Sequence, residues 1–360
     1  MREVPYVTAE REVWTGTLIS SLDLADDVTQ VPGTHVVHFD GVFPCTADGT
    51  PLPAIEHARG PFDLGGGLSA QYSFSNKPST GYTDYYHKMS TYAAILSGPA
   101  AVRKPGVNPR VFRTPEVEEE SVFHYTETAS ARAGIGALTD RLRSETVAII
   151  GTGGTGSYIM DLVAKTPARE IRLIDGDDFL QHNAFRAPGA PSLDELRQVH
   201  KKVDYLQGIY AKMRRGIVAH AVPIGADTLH LLDGVTSAFL CMDAGPAKEL
   251  AVQKLEGIGA QFVDVGMGLE LVDGSLGGIL RVTASTPAQR AHVHEGRVSF
   301  ANAADDLYNS NIQVADLNAL NAALAVLKWK KLLGFYRDVE REHHSTYTTD
   351  GNLMLNGHTS

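Results

Sequence analysis

One segment constrains the fold of this chain more than any other. It reads TVAIIGTGGTGSY, in which a β-branched run, Thr146–Ile150, precedes a helix predicted over Ser157–Lys165. Four glycines lie between or at the start of these elements: Gly151, Gly153, Gly154 and Gly156. Such glycines allow a tight turn and let backbone N–H groups at a helix N-terminus approach a phosphate. A second predicted strand, Glu170–Ile174, leads to Asp175, a position from which a carboxylate can hydrogen-bond a ribose hydroxyl. The segment predicts a nucleotide-binding strand–helix–strand unit.

The same alternation of strands and helices continues along the chain. Further strands are predicted at Ile217–Val222, Val235–Met242 and Gln261–Val265. Strands that alternate with helices form a parallel sheet covered on both faces. We therefore expect an α/β fold with a Rossmann-like doubly wound sheet.

A different pattern precedes this region. Short apolar stretches, His35–Phe43 and Leu68–Phe74, alternate with turn residues, and a helix is predicted over Tyr85–Ala101. These features predict a small α+β domain. The proline-containing, acidic run KPGVNPRVFRTPEVEEES then indicates an exposed linker, and TDGN near the C-terminus indicates a hairpin. The predicted parts are a small domain at 1–103, a linker at 104–124, a nucleotide-binding domain at 125–340 and a tail with a hairpin at 341–360.

Composition excludes several classes of protein. The formal net charge is −10, which provides no broad cationic surface for nucleic acid. The first residues lack the layout of a secretory signal, and no apolar run approaches the roughly 18 residues that cross a bilayer. The two cysteines, Cys45 and Cys241, are too few for a four-thiolate zinc site and fit a reducing compartment. We expect a cytoplasmic protein with neither a nucleic-acid nor a membrane partner.

The residues after Asp175 distinguish ATP from NAD, which the glycine loop alone does not. The chain reads DGDDFLQHNAFRAPGA, with Asn183 eight positions after Asp175 and Arg186 three positions later. The segment HKKVDYL follows and contains Lys202, next to Lys201. The segment AFLCMDAGPAK comes last and contains the acid at position 243. Over residues 125–336 this set of motifs resembles the ThiF/MoeB family of ubiquitin-activating-type adenylyltransferases.

The resemblance implies the ubiquitin-activating adenylation fold, with ATP and Mg²⁺. In this reaction a carboxylate attacks the α-phosphorus of ATP and pyrophosphate leaves, so negative charge spreads over phosphoryl oxygens. Arg186 and Lys202 would supply cations, and Asn183 would orient a phosphate oxygen. Asp243 and Asp177 would hold Mg²⁺, which prefers oxygen ligands.

The resemblance also implies a second subunit. The segment TASARAGIGALTDRL is similar to the family's helix that sends an arginine into the neighbouring subunit's ATP site, and Arg132 is the candidate. A homodimer follows from this expectation. Near the C-terminus, leucines recur at helical spacing and predict a face for core or dimer packing: Leu317, Leu320, Leu324 and Leu327.

The acceptor of the activated acyl group is not settled by the motifs. Many members of the family use a cysteine after the strand that bears the metal aspartate, but this chain has none beyond Cys241. The acyl-adenylate could pass to a partner protein. A hydroxyl of VTASTP could accept it instead, with Thr283, Ser285 and Thr286 as candidates. Cys45 is the third alternative, since its neighbours predict an exposed loop.

The first hundred residues carry a second resemblance. The stretches HFDGVFPC and YSFSNKP, followed by a helix, are similar to ubiquitin-conjugating-enzyme-like domains that are fused to bacterial activating enzymes. This implies a ubiquitin-conjugating-enzyme-like domain or partner. Substrate docking without chemistry is the alternative.

These features together predict adenylation of the C-terminal carboxylate of a ubiquitin-like protein. A peptide, a sulfur carrier or a tRNA carboxylate would use the same nucleotide site. An NAD-dependent oxidoreductase is the second class of enzyme, and it has no need for Arg186 and Lys202. A non-catalytic nucleotide-binding scaffold is the third alternative, which Ala244 supports because the family has an asparagine there.

Overall fold

The structure is a computed structural model that describes residues 1–25, 28–110, 121–125, 127, 129–301 and 312–359. Residues 111–120 of the predicted linker lie outside the described residues. The chain divides into two compact units. The first comprises Met1–Ser121 and Tyr125–Asp140, and the second comprises Val122–His124 and Arg141–Ser360.

The first unit is an antiparallel sheet with one long helix. Its strands are β1 (Val4–Val7), β2 (Val13–Ile19), β3 (Leu24–Ala25), β4 (Val28–Thr29), β5 (Val36–Asp40), β6 (Glu56–Gly65) and β7 (Leu68–Ser75). Its helices are α1 (Tyr85–Arg103), α2 (Ala129–Ala133) and α3 (Gly136–Asp140), with a 3-10 turn at Pro53–Ile55. The main sheet has the order β1-β2-β5-β7-β6, and β3 and β4 form a separate ribbon. The predicted small α+β domain is confirmed.

Helix α1 closes the core of this unit. It begins after Asp84, whose carboxylate accepts a hydrogen bond from the backbone N–H of His87 at 2.7 Å and so caps the first turn. Tyr92 and Leu96 then pack against the apolar side chains of the sheet, including Phe39. The helix predicted over Tyr85–Ala101 is therefore present and extends to Arg103.

The second unit is built on eight strands. They are β8 (Thr146–Ile150), β9 (Glu170–Ile174), β10 (Ile217–His220), β11 (Ser237–Leu240), β12 (Gln261–Val272), β13 (Ser275–Ser285), β14 (Glu342–Thr348) and β15 (Leu353–Thr359). The helices are α4 (Gly154–Ala164), α5 (Gln181–Ala184), α6 (Leu193–Arg197), α7 (Lys202–Tyr210), α8 (Pro246–Gly257) and α9 (Ala315–Leu332). A 3-10 segment lies at Ala226–Leu232 and a π-type turn at Val293–Arg297. In the part of the chain that the structure describes, no helix combines the length and apolar character of a bilayer span.

The sheet of the second unit confirms the Rossmann-like prediction. Its order is β10-β9-β8-β11-β12-β13-β14-β15, and the first five of these strands are parallel. The order reverses between β8 and β11, and ligands of open α/β sheets bind outside the carboxyl ends of the strands at such a point. The last three strands continue the sheet in antiparallel pairs.

Strand β12 is longer than the sequence predicts. The apolar run ends near Val265, where Gly266 and Gly268 interrupt it. Glycine weakens a strand interior, so the sequence predicts that the strand ends there. The strand nevertheless continues to Val272, because β13 pairs with it along its whole length.

Helix α9 packs through a different face from the predicted leucine face. Of the four leucines, Leu324 is partly buried against the core, whereas Leu327 is 42% exposed. The buried positions include Ala322, Ala325 and Trp329. The leucine face is therefore not the main core face of α9, and its alternative role in dimer packing stays a prediction. Small side chains on the opposite face let α9 approach α4 closely.

We predict that Gly156→Ala destabilises the second unit by about 1–3 kcal/mol, because the new Cβ would collide with the carbonyl oxygen of Gly151. Gly208→Ala is the matched control. Gly208 lies inside α7 with open space around its Cα, so alanine should stabilise the unit by about 0.5–1 kcal/mol.

Denaturant unfolding followed by the fluorescence of Trp329 measures both changes. A Trp14→Phe background removes the second tryptophan of the chain, which is exposed in the first unit. Equal unfolding free energies for Gly156→Ala and the parent would contradict the packing described for this turn.

Candidate functional site

The glycine loop follows β8 at the carboxyl edge of the sheet. Gly151 has φ +86° and lies close to the backbone that follows β11. A Cβ on Gly151 would be 2.5 Å from the carbonyl oxygen of Cys241. A Cβ on Gly156 would collide with the backbone of Gly151, and one on Gly154 would collide with the side chain of Asn318. The packing of the protein itself therefore requires three of the four glycines.

Gly153 is the exception in this loop. It precedes α4, and a Cβ built on it meets no atom within 4 Å. Since packing does not require glycine here, the open space beside the helix N-terminus is available to a ligand. Of the four predicted contacts to phosphate, this position fits best, and the contact stays a prediction.

Asp175 holds the glycine loop in place. One of its carboxylate oxygens accepts hydrogen bonds from the backbone N–H and the hydroxyl of Thr152, at 2.7 and 3.1 Å. The other accepts from the backbone N–H of Asp177 at 2.9 Å. The side chain of Asp175 is thus a brace between β8 and β9. Its predicted bond to a ribose stays a prediction.

The structure separates the roles of the two adjacent lysines. Lys202 begins α7, is largely buried, and places its Nζ 2.6 Å from Oδ2 of Asp177 and 3.9 Å from Oδ2 of Asp175. Lys201 points elsewhere: its Nζ donates to the carbonyl of Gly176 at 2.9 Å and pairs with Asp178 at 2.8 Å. Of the two, Lys202 is next to the acid that braces the glycine loop.

Asn183 and Arg186 carry buried hydrogen-bond donors without partners. The Oδ1 atom of Asn183 accepts from the backbone N–H of Leu180 at 2.8 Å, but its Nδ2 is buried and makes no hydrogen bond. The Nε of Arg186 is also buried and makes no hydrogen bond. A buried donor without an acceptor costs about 1–3 kcal/mol. Two such donors lie three residues apart, and the predicted contacts of Asn183 and Arg186 with phosphate stay a prediction.

Asn318 is a residue that sequence reasoning missed. It lies in α9, is buried against Gly154, and accepts a hydrogen bond from the hydroxyl of Thr155 at 2.9 Å through its Oδ1. Its Nδ2 has no hydrogen-bond partner. The available signal is a pair of asparagines, Asn318 and Asn321, among the alanines and leucines of α9. Asn318 therefore connects α9 to the glycine loop.

A buried charge cluster near the end of β11 was also missed. Asp264 on β12 is fully buried, with Lys248 Nζ at 2.7 Å from Oδ1 and Arg281 Nη2 at 2.7 Å from Oδ2. Desolvation and, secondarily, the carboxylate of Asp264 raise the pKa of the Cys241 thiol. The thiol therefore stays protonated, as expected of a structural cysteine.

The predicted metal ligands do not form a preformed cage. Asp243 lies exposed between β11 and α8, and Asp177, 74% exposed, is paired with Lys202. Within the described ranges, no group of three or more His, Cys, Asp or Glu side chains is arranged to hold a metal ion. Mg²⁺ commonly binds through one or two carboxylates together with phosphate oxygens and water. The exposed carboxylate of Asp243 fits that mode, and the Mg²⁺ site stays a prediction.

The hydroxyl candidates for the acyl acceptor lie in an unfavourable place. Ser285 is fully buried on β13 and pairs with Phe262 near the amino end of β12, whereas the glycine loop follows the carboxyl end of β8. Thr286 lies one residue further from that edge. Thr283 is also buried, and its Oγ is 3.0 Å from Nδ1 of His344. The burial of Ser285 and Thr283, and the distance of Ser285 and Thr286 along the strand from that edge, disfavour these hydroxyls, and a role as acyl acceptor stays a prediction.

Cys45 lies in a loop, as predicted, but it is not exposed. Its side chain is buried, and its Sγ is 3.7 Å from the carbonyl oxygen of Phe43. Burial first, and then the negative charges of Glu10 and Asp48, raise the pKa of the thiol. Since the thiolate is the nucleophile, both effects oppose reactivity, and the expectation of an exposed thiol is wrong.

Arg132 lies in α2, but its side chain is outside the described residues. The predicted contribution to a neighbouring ATP site stays a prediction.

Comparison with known proteins supports the fold. The model of a family described as "Domain of unknown function (DUF6791)" matches residues 1–128. No curated protein matches the sequence of the chain. The crystal structures of E. coli MccB with succinimide and with ATP each align with 65% of this chain and 72% of their own, at 17% identity and a TM-score of 0.50. The microcin C7 biosynthetic enzyme MccB in complex with N-formylated MccA aligns at 18% identity over 64% of this chain and 69% of its own, with a TM-score of 0.50. At these identities the likeness shows a shared Rossmann-like fold.

We predict that Gly153→Ala separates nucleotide binding from folding. Without nucleotide, the unfolding free energy should change by less than about 0.5 kcal/mol, because the new methyl group meets no other atom. The stabilisation by ATP, which is about 2.7 kcal/mol at a hundred times Kd, should decrease because the methyl group would occupy ligand space. Thermal unfolding with and without ATP measures both effects, and Gly208→Ala is the control. Unchanged stabilisation by ATP would show that no phosphate lies against Gly153.

Proposed function

We propose that this chain is an ATP-dependent adenylyltransferase that activates the C-terminal carboxylate of a peptide or protein. The observation that carries the proposal is the pair of buried, unpartnered donors, Asn183 Nδ2 and Arg186 Nε. Both lie in the segment that leaves the carboxyl end of β9, beside the switch point of the sheet. Phosphate oxygens are acceptors that would satisfy them, and the guanidinium adds a positive charge.

The proposed reaction joins a carboxylate to AMP. A carboxylate oxygen attacks the α-phosphorus, the bond between the α-phosphorus and the bridging oxygen breaks, and pyrophosphate leaves with the electron pair. Charge accumulates on phosphoryl oxygens in the transition state, so fixed donors contribute more than a general base. Arg186 and Asn183 would bind these oxygens. Lys202 would exchange its ion pair with the exposed Asp177 for a contact with phosphate.

Asp243, with Asp177, would hold Mg²⁺ when nucleotide is bound. The ion would neutralise phosphate charge. Asp243 makes the larger contribution in this proposal, because its exposed carboxylate has no competing ion pair among the described residues. Asp177 becomes available only when Lys202 turns to the nucleotide.

The class of acyl substrate is a finer part of the proposal. MccB was crystallised with MccA and with ATP, and its likeness to this chain supports a peptide or protein carboxylate. A ubiquitin-like protein offers the same chemical group on a protein tail, and it is the alternative substrate in this proposal. We extend the proposal to a homodimer in which Arg132 reaches the other subunit's site, and to a docking or ubiquitin-conjugating-enzyme-like role for the first unit.

An NAD-dependent oxidoreductase is the less favoured alternative. It would use the glycine loop and Asp175, but it would leave Arg186 Nε and Lys202 without a function. The negative charge of a triphosphate would account for two cationic side chains at this site, whereas a dinucleotide oxidoreductase does not require them.

ATP–pyrophosphate exchange tests the proposed reaction. We predict exchange that depends on an added carrier, taken from a panel of ubiquitin-like proteins and synthetic peptides with a free C-terminal carboxylate. Arg186→Ala and Lys202→Met should each reduce the exchange rate by about 100-fold or more, because a fixed charged donor is lost. Asp243→Ala should raise the Mg²⁺ concentration required for exchange.

Lys201→Met is the matched control, because that lysine pairs with Asp178 and the carbonyl of Gly176 rather than with the acids at the loop. It should retain exchange within a few-fold of the parent. Exchange that survives Arg186→Ala and Lys202→Met, or ATP binding with no exchange for any carrier, would contradict the proposal.

A further inference from the structure

Among the residues that the structure describes, no carboxylate contacts Lys88, which is buried in the first unit. It lies on α1, its side chain is fully buried, and its Nζ makes its hydrogen bond with the hydroxyl of Ser20 at 2.8 Å. The same Nζ lies 5.8 Å from the ring centre of Tyr85. Among the described residues it forms no ion pair within 4 Å. An ammonium group in this situation loses hydration that no contacting anion replaces, so burial destabilises its charged form.

The electrostatics agree with the geometry. Burial lowers the pKa of Lys88 to about 8, and the more distant carboxylate of Asp23 opposes that shift in part. On the neighbouring strand β5, burial and then the charge of Lys88 lower the pKa of His38. The lowered pKa brings the loss of the Lys88 proton close to physiological pH, the range in which a general base works.

Ser20 is the hydrogen-bond partner of this lysine. It follows β2 directly and is half-buried, whereas Lys88 is fully buried. Its hydroxyl is 2.8 Å from the carbonyl oxygen of Ser21 and 2.8 Å from Lys88 Nζ, so its proton can be donated to either. A serine hydroxyl on a half-buried residue is thus in contact with a buried amine.

Hydrogen bonds near Ser20 and Lys88 fix the relative positions of the two segments that carry them. The phenol of Tyr85 donates to a carboxylate oxygen of Asp23 at 2.8 Å and accepts from the backbone N–H of Asp23 at 2.8 Å. These bonds tie the segment after β2 to the first turn of α1, which carries Lys88 one turn later. The contact between Ser20 and Lys88 is therefore built by two elements that are fixed to each other.

We propose that Ser20 is an acyl acceptor activated by Lys88, and that the acyl donor is an acyl-adenylate. The proposal rests on the proposed function, which supplies such a donor. The Ser20 Oγ attacks the acyl carbon and forms an ester bond. The bond between that carbon and the phosphate oxygen breaks, AMP leaves with the electron pair, and the hydroxyl proton passes to Lys88 Nζ.

Ser20 has an adjacent amine and is only half-buried, whereas the earlier candidates Ser285 and Cys45 are more deeply buried. Ser285 is fully buried near the amino end of β12, and Cys45 is a buried thiol whose pKa is raised. Serine needs an adjacent base to become a nucleophile, and a neutral lysine within hydrogen-bond distance is one of the arrangements that provide it.

The test uses a synthetic donor, acetylglycyl-adenylate, with the full chain and without ATP. Intact-mass analysis should show one acetylglycyl group per chain, and peptide mapping should locate it at Ser20. Ser20→Ala should abolish the adduct, and Lys88→Met should slow its formation by about 100-fold or more. Ser21→Ala is the matched control and should acylate at the parent rate, because Ser20 contacts only the backbone carbonyl of that residue.

Two further measurements separate chemistry from folding. The rate of acylation should rise with pH and level off above about 8, as Lys88 loses its proton, and Lys88→Met should lose this inflection. The other titratable groups facing Lys88 are Asp23, His38 and Tyr85. Ser20→Cys should keep the adduct and make it sensitive to thiols, which shows that the site still folds.

An adduct that persists in Ser20→Ala, or a parent-like rate and pH profile in Lys88→Met, would overturn the proposal. Failure here is distinct from failure of the proposed function. The synthetic donor bypasses adenylation, and ATP–pyrophosphate exchange does not involve Ser20.

Discussion

The close contact of backbone with backbone at the glycine loop is the constraint on which the rest of the second unit depends. Gly151 passes so near the carbonyl of Cys241 that only a residue without a side chain fits, and Gly156 approaches Gly151 in the same way. This contact fixes the turn from β8 into α4, which lies at the switch point of the sheet. Asp175 then braces the loop, and Lys202 lies beside that acid. Packing therefore explains most of the glycines, and Gly153 alone has the freedom that a ligand would use.

Buried hydrogen-bond donors without partners lie at this edge of the sheet. Folded proteins rarely leave buried N–H groups without acceptors, because each costs about 1–3 kcal/mol. Asn183, Arg186 and Asn318 each retain one, and Asn318 reaches the loop from α9, far along the chain. The proposed adenylation rests on these donors. The proposed transfer to Ser20 rests on the contact of Ser20 with Lys88 in the other unit, and it takes its acyl donor from the proposed adenylation.

Local sequence signals predicted the fold well and the site in part. The strand–glycine–helix segment and the position of Asp175 were visible because a turn and its flanking elements are encoded by neighbouring residues. Lys202 was preferred over Lys201 from a motif, and the structure places it next to the bracing acid. Asn318, Lys88 and the partners of Asp264 were missed, because each acquires its role only through a residue far away in sequence. The exposure of Cys45 was misjudged for the same reason: a loop composition does not reveal what packs over the loop.

We propose that the buried donors at the carboxyl edge face the phosphates of ATP. Equilibrium binding of ATP and NAD⁺ by titration calorimetry, to the parent chain and to Arg186→Met, tests this placement. Methionine keeps the apolar stem of the side chain and removes its donors. We expect ATP to bind in preference to NAD⁺, and Arg186→Met to weaken ATP binding about tenfold or more while the unfolding midpoint without nucleotide is maintained. Preference for NAD⁺, or equal affinity of ATP for both chains, would show that these donors do not bind the phosphates.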